Sequence, residues 1–487
     1  MTKYREVELK LEVGDAGALK THPLLRDRTC KVQAQSTIYY DTGKGALGRA
    51  GFSLRVRSSE GKFIQTIKYS RGNAAGIFDR PEWETKIAGP DVDFDAIAQT
   101  PLSGVLTKRI RGDLRPLVTC DVERTIWILS VDGSEIEASL DEGKVRGGDK
   151  EQRLCELELE LRTGEAGALM QIARQLGQDV PLKIGVMTKA ERGFALADGT
   201  IDSVRKGGTI RIAPAMDVAE SFVVIAHACL KHFRMNESLV AERRDAAALH
   251  QARVAMRRLR SAFSLFGPVV QDDESVRIRE ELRWFTGQLG AARNLDVLLK
   301  RCEGGGKAEL ERRLRAARED AYDSVLATLK SQRFRNLMLD LLGWLEFGRW
   351  RSDEDAGAPI EEFARKRLDR RWRKIRKAGR DLAALGEERR HRTRINIKKL
   401  RYAVEFLDGL YEKRKRKVDA FLDALAQMQE ELGFLNDIAT ARVLLADIAG
   451  TDQDLIPAPE PEEISRHLAA AQKAYAELDK SGPVWRQ

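Results

Sequence analysis

The chain has 487 residues, a third of them charged, with 84 Lys and Arg against 75 Asp and Glu and a formal net charge of +9. Such a length holds two or three domains rather than a single core. No run approaches the roughly 20 apolar residues of a membrane span, and no apolar stretch follows the first basic residues, so a soluble cytoplasmic protein is expected.

The first patterned stretch is Glu6-Val7-Glu8-Leu9-Lys10. In a strand, alternation puts Glu6, Glu8 and Lys10 on one face and Val7, Leu9 and Leu11 on the other. Charges on a covered face need partners or an ion. An exposed strand face is the alternative. It loses ground because Leu54-Arg55-Val56-Arg57, Thr66-Ile67-Lys68, Glu82-Trp83-Glu84 and the run from Cys155 to Leu161 repeat the alternation. Several strands with one charged face each are the pattern of a barrel with an ionic lumen. Breaks at Gly43, Gly45, Gly48, Gly72, Gly76 and Gly89-Pro90 separate the strands, and Asp132-Gly133 between two alternating runs signals a hairpin. Helices are expected near Asp93 to Leu106 and near Glu165 to Leu176, which favours an antiparallel sheet with a few covering helices. The five cysteines, Cys30, Cys120, Cys155, Cys229 and Cys302, are odd in number and lack metal-ligand spacing, so they read as reduced and mostly buried thiols.

The pattern is lost between Asp198 and Pro214, and from Asp217 the chain reads as helix after helix. Interruptions fall at Gly304-Gly305-Gly306, at Asp353 to Pro359 and at the Pro-rich stretch Pro457 to Pro461. Residues 1–200 carry 30 basic and 30 acidic side chains, residues 201–487 carry 54 and 45, so the whole surplus lies in this helical part and points to a polyanionic partner. The helical part also repeats itself. His250, Arg253, Arg257, Arg258 and Arg260 recur at the same spacing as His391, Arg394, Lys398, Lys399 and Arg401. Further on, Leu289-Gly290 with Arg293-Asn294-Leu295-Asp296 matches Leu432-Gly433 with Asn436-Asp437.

At about 100° per residue, the His and three of the cations share one arc of about 80°, opposite Leu259, Phe263 and Phe266 or Leu400, Val404 and Leu407. From Arg365 to Arg401, seventeen cations face only Asp369, Asp381, Glu387 and Glu388, so pairing along the helix cannot neutralise the surface. An anion-binding groove therefore outweighs a plain solvated face. Aromatic and base-reading residues are scarce on it, Asn396 apart, which selects phosphate: a flexible phosphate chain, or an RNA backbone read without sequence. His250 and His391 lack the carboxylate neighbour of a general base and read as phosphate ligands.

Glu6-Val-Glu-Leu-Lys10 resembles the ExExK signature of the CYTH family, the triphosphate tunnel enzymes. Arg55 with Arg57, Lys68, Glu82 with Glu84, Arg124, Leu140-Asp141-Glu142-Gly143, Glu156-Leu-Glu158-Leu-Glu160 and Thr188-Lys189-Ala-Glu-Arg192-Gly193 follow in order. Thr188 stands where the family often has Ser, and a hydroxyl is kept. The repeated helices resemble a CHAD domain, and the order of the two resembles the bacterial inorganic triphosphatases of that architecture. The resemblance implies an α+β multidomain chain: an eight-stranded antiparallel β tunnel in residues 1–205, a linker at 206–216, and an all-α domain of two repeated helical bundles in 217–482, about 217–350 and 360–482. It also implies hydrolysis of inorganic triphosphate in the tunnel and binding of inorganic polyphosphate by the CHAD domain, in the cytoplasm and in association with polyphosphate granules. A nucleotide- or thiamine-triphosphate-directed tunnel enzyme, and a non-catalytic polyphosphate- or RNA-binding protein, are the alternatives. Sequence-specific nucleic acid is not an expected partner.

Phosphoryl transfer needs positioning and charge neutralisation more than covalent chemistry. A triphosphate carries about four to five negative charges near neutral pH. Arg55, Arg57, Lys68, Arg124 and Lys189, with Lys10, would oppose them, the arginines as forks and the lysines as point charges. Acids beside phosphates repel them unless an ion lies between, so Glu6, Glu8, Glu156 and Glu158 read as ligands for Mg2+ or Mn2+. This places Glu6, Glu8 and Lys10 in catalysis, with Glu84 or Asp141 expected to orient the attacking water. Glu82 and Glu160 read equally well as salt-bridge partners. The polyphosphate face is expected to comprise His250, Arg253, Arg257, Arg260, His391, Arg394, Lys398 and Arg401.

Overall fold

The computed structural model describes residues 2–70, 74–302, 308–449 and 460–486, without the side chains of 2–5, 435–444 and 446–449. Gly72, Gly304 to Gly306 and Pro457 to Pro459 lie outside the described residues, as do the side chains of Asn436 and Asp437. The chain divides into two compact units, Met1–Val204 with Lys330–Phe347, and Arg205–Leu329 with Gly348–Gln487.

The first unit is a closed antiparallel barrel. Its strands are β1 (Thr2–Val13), β2 (Cys30–Thr42), β3 (Phe52–Ser59), β4 (Lys62–Tyr69), β5 (Ile77–Ile87), β6 (Leu114–Val131), β7 (Ser134–Gly147) and β8 (Lys150–Thr163). They pair in the order β5-β4-β3-β2-β6-β7-β8-β1, and β1 closes the ring against β5, while the short β9 (Leu182–Ile184) adds to the far end of β1. Closure makes eight strands, as the resemblance implies, and leaves the barrel strands without an open edge. The Asp132-Gly133 hairpin joins β6 to β7, both residues with positive φ as a tight two-residue turn requires.

Because side chains alternate, each strand sends one set inward and one outward. Leu9 and Leu11 of β1 are fully buried on the outer face, while Glu6, Glu8 and Lys10 are buried on the inner one. Outside the barrel lie α1 (Gly167–Asp179) and α2 (Lys189–Ala197). The Thr188 hydroxyl accepts a bond from the Glu191 amide at 3.1 Å and the Glu191 carboxylate accepts one from the Thr188 amide at 2.8 Å, a reciprocal cap that fixes where α2 begins. The retained hydroxyl thus sets the position of Lys189. The helical stretch expected near Asp93 is two short turns, Phe94–Ala98 and Pro101–Gly104.

Beyond Asp217 the described α-helices are α3 (Val218–Arg243), α4 (Ala246–Phe266), α5 (Asp273–Cys302), α6 (Ala308–Lys330), α7 (Gln332–Phe347), α8 (Ile360–Gly379), α9 (Glu387–Leu407), α10 (Lys415–Ala449) and α11 (Pro461–Ser481). The sets α3 to α6 and α8 to α11 reproduce the sequence repeat. Each has an aromatic core, with Phe222 against Phe263 and Phe266 in one and Phe421 between Trp372 and Trp485 in the other. The helix between the sets, α7, belongs to the barrel unit: Leu339 reaches Gly177 of α1, Leu342 reaches Gly76, and Arg174 donates to Asp340 at 3.0 Å. All five cysteines are free, but only Cys120 and Cys229 are buried, while Cys30 is exposed. Among the described residues, no helix is long and apolar enough to cross a membrane.

Candidate functional site

The barrel encloses a cavity of about 380 Å³, lined among others by Lys10, Arg55, Arg57, Lys68, Arg124 and Lys189. The inward sets of seven strands and the first residue of α2 supply these cations and the acids beside them. Glu6, Glu82, Glu84 and Glu158 face the same space, whereas Glu8, Asp141 and Glu156 lie buried behind its wall.

One wall is a triad of acids. Asp141 on β7 and Glu156 and Glu158 on β8 bring carboxylate oxygens within 4.8 Å of one another. Cross-strand register does this: Asp141 stands opposite Glu156, and Lys10 of β1 stands opposite Glu158. Lys189 donates to Asp141 and Glu158 at 2.8 Å and also to Glu156. Lys10 donates to Glu156 at 3.1 Å and to Glu158. Arg124 forks onto both oxygens of Asp141 at 2.7 and 2.6 Å and reaches Glu158 at 2.6 Å. Burial penalises every one of these charges, yet the mutual attraction prevails. Glu158 is held well below the usual carboxylate range by Lys10, Lys189 and Arg124, and Asp141 is lowered by Lys189 and Arg124. Lys189 is held well above the lysine range by Asp141, Glu156 and Glu158.

A second cluster, on the neighbouring strands β1 and β5, is built on Arg80, which the sequence reading does not single out. Its guanidinium donates to Glu6 at 3.2 Å and Glu8 at 2.7 Å, and Lys68 bonds Glu6 at 2.6 Å and pairs with Glu82 at 3.2 Å. The four acids expected to share an ion are therefore divided: Glu156 and Glu158 join Asp141, while Glu6 and Glu8 are gripped by Arg80 and Lys68. Arg80 lies two residues before Glu82 and four before Glu84, so alternation along β5 could have placed it on the inner face.

Arg55 and Arg57 carry the loosest pairs, 3.7 Å to Glu82 and 3.4 Å to Glu84. The buried Nε of Arg55 has no hydrogen-bond partner, and a buried donor in that state favours a ligand oxygen. Burial, then the neighbouring Arg55 and Arg124, lower the pKa of Arg57, against the opposing pull of Glu84 and Glu82. Glu84 lines the cavity and accepts from Thr66 at 3.1 Å. Asp141, by contrast, is wholly buried with both oxygens engaged. Glu160 stands opposite both Glu8 and Glu137, bonded by Arg162 at 2.8 Å. Burial raises its pKa to about 7, with Arg162 opposing and Glu6 and Glu137 adding to the rise.

In the second unit the repeated helices α4 and α9 pack on each other, and Arg257 Nε donates to the Tyr402 hydroxyl across that contact at 2.8 Å. This brings the two cationic faces together. Burial and then Arg293, Arg257 and Arg253 push His250 below its usual value, and burial with Arg257, Arg293 and Arg260 does the same to Arg253. Lys399 is lowered by burial, then by Arg371, Lys374 and, from the other repeat, Arg260. His391 is exposed, and Arg394, Lys398 and Arg401 are half-buried on α9. Several cations of the run from Arg365 are structural. Arg367 caps the end of α4 through Leu265 O at 2.8 Å and Ser264 O at 3.2 Å, and Arg371 donates to Lys399 O at 2.9 Å. Asp296 of the second repeated motif is likewise structural, accepting from Arg318 at 2.8 Å and Tyr322 at 3.0 Å.

Residues 4–194 match the CYTH domain family and residues 224–446 the CHAD domain family. The chain is a CYTH domain followed by a CHAD domain. An inorganic triphosphatase of Haemophilus influenzae is 25% identical over 197 residues, which is 39% of this chain and 55% of that protein, so the match spans about half of its length. The CHAD domain of the plant Ricinus communis is 30% identical over 57% of this chain and 92% of its own, with a TM-score of 0.47. The Hippeastrum protein HpAC1, described as having a dominant triphosphatase activity, is 20% identical over 40% of this chain and 96% of its own, with a TM-score of 0.30.

Proposed function

We propose that the tunnel hydrolyses inorganic triphosphate to phosphate and diphosphate with Mg2+ or Mn2+, and that the CHAD domain binds inorganic polyphosphate. The observation that carries the first part is a barrel cavity whose cations stand against an oxygen-rich acid triad. Three carboxylates within 4.8 Å of one another, Asp141 and Glu156 buried and Glu158 facing the cavity, are the hard donor set that such an ion takes. Asp141, Glu156 and Glu158 would hold it, sharing their oxygens with Lys10, Lys189 and Arg124; Glu6 and Glu8 could join only by giving up Arg80 and Lys68. Bound there, the ion would neutralise phosphate charge.

The side chains do the rest. Arg55 and Arg57 exchange their long carboxylate pairs for phosphate oxygens, Lys68, Arg124, Lys189 and Lys10 neutralise the chain, and Glu84 orients the water that attacks the terminal phosphorus. Of the lining side chains only Tyr39, Ile64, Ile126 and Ala190 are apolar or aromatic. That leaves little to stack a base or a thiazolium ring and favours inorganic triphosphate over ATP or thiamine triphosphate. For the CHAD domain, support comes from His250 and Arg253 of one repeat and Lys399 of the other, whose pKa values burial and neighbouring cations, Arg260 acting across the repeats, lower together. The test is phosphate release by the full chain from tripolyphosphate, ATP and thiamine triphosphate, with and without Mg2+. Metal-dependent release from tripolyphosphate alone is expected; equal turnover of ATP would overturn the substrate assignment.

A further inference from the structure

We infer that Gly290 and Gly433 are positioning residues for the anion-binding face, each leaving beside its helix the space in which the arginine three residues after the repeated histidine lies. The inference rests on the reading of that face as a polyphosphate site. Gly290 is buried in the middle of α5 and Gly433 in the middle of α10. Glycine is unfavourable in a helix interior, where alanine is the better residue. Two copies of one repeat nonetheless place glycine against the same side chain.

A Cβ on Gly290 would stand 2.8 Å from Arg253 Nη1 and 3.7 Å from its Cζ, with no other atom within 4 Å. A Cβ on Gly433 would meet Arg394 first, with Nη2, Nε and Cζ at 3.0, 3.3 and 3.5 Å. Packing glycines in the same chain look different: Gly193 faces the Val118 side chain and Gly379 the ring of Tyr475, where a methyl would push into apolar packing. At Gly290 and Gly433 a methyl displaces only a guanidinium at the end of a flexible arm. One turn before Gly290, the Thr286 carbonyl accepts from the same arm, Arg253 Nη1, at 3.4 Å, and its hydroxyl accepts from a second cation of the face, Arg260, at 3.0 Å. The arginine is thus laid across α5 with its position set by Thr286 and its clearance by Gly290. Loss of that clearance moves the fork away from where a phosphate oxygen is met.

The experiment uses the full chain with G290A, G433A and both together, and reads binding of polyphosphate of defined length at fixed ionic strength, thermal unfolding, and tripolyphosphate hydrolysis. The expected result is weaker binding, about tenfold for the double variant, the scale of one charge-assisted hydrogen bond. Unfolding temperature should be unchanged or higher, because alanine favours the helix, and hydrolysis unchanged. In an R253A/R394A background the glycine changes should have no further effect on binding, which ties them to the arginines. Unchanged affinity in the glycine variants would overturn the inference and leave the polyphosphate reading standing. Weaker binding together with a lower unfolding temperature would assign the glycines to helix packing and overturn it as well. Absence of polyphosphate binding by the unaltered chain would overturn both.

Discussion

The tunnel and the face formed by α4 and α9 are both cationic, and they treat their charge in opposite ways. In the tunnel each cation has an acid: Lys189 and Lys10 sit on the triad, Arg80 on Glu6 and Glu8, Arg124 on Asp141 and Glu158. Buried charges demand this balance, since an unpaired one costs several kcal/mol. On the helical face the nearest charges to Arg253, His250 and Lys399 are other cations. A balanced site gains from a ligand only by exchanging partners, which selects a short ligand of matching shape. An unbalanced face gains from any flexible polyanion, and salt should weaken it steeply.

Removing one partner from the balanced site should have the largest effect. Lys189→Ala leaves Asp141, Glu156 and Glu158 short of a cation, and is expected to cost about 3–5 kcal/mol of stability. It should also slow tripolyphosphate hydrolysis by roughly a hundredfold or more. Denaturant unfolding and phosphate release measure the two, and a stable, active variant would show that the balance is not needed. The same operation on the unbalanced face should act in reverse. Charge reversal at Arg253, Arg257, Arg394 and Lys398 is expected to abolish retention on immobilised polyphosphate while leaving hydrolysis nearly unchanged. Equal retention by this variant would remove the distinction between the two sites.

Proton linkage sharpens the comparison further. Burial and three arginines lower the pKa of His250 in the free chain, so the unfolded chain binds the proton more readily and His250 withdraws stability as pH falls below the ordinary histidine range of about 6.5. A bound phosphate chain favours the protonated ring, so polyphosphate affinity should rise from pH 8 to pH 6 with net proton uptake. Titration calorimetry in buffers of different ionisation enthalpy measures that uptake, and a pH-independent affinity would remove His250 from the site. The smallest effect belongs to a pair that is neither buried nor crowded. Asp340→Ala breaks the half-exposed bond to Arg174 and is expected to lower stability by less than about 1 kcal/mol. A larger fall in thermal unfolding would mean that α7 matters to the barrel beyond its apolar contacts.

The barrel was legible because alternation is a local property. Glu6, Lys10, Arg55, Arg57, Lys68 and Glu84 face the cavity, and their spacing in the sequence already put each on one side of a strand. Arg80 shares its alternation with Glu82 and Glu84, but Asp79 and Pro81 on either side mask it with a further charge and a residue that argues against a strand. The place of α7 carried no signal either, since an amphipathic helix does not record which core it will cover. For the cations after Arg365, the count suggested one open surface, whereas Arg367 and Arg371 are engaged with backbone carbonyls.

By itself the sequence determined which side chains share a strand face or a helix face, that the helical part is duplicated, and that its cations outnumber its acids, because periodicity and composition are fixed before folding. Only the tertiary structure decided which charges meet: that Asp141 joins Glu156 and Glu158, that Arg80 takes Glu6 and Glu8, and that the two repeated helices face each other. Those partnerships depend on cross-strand register and helix packing, which bring together residues as far as 145 positions apart and leave no mark on the local pattern.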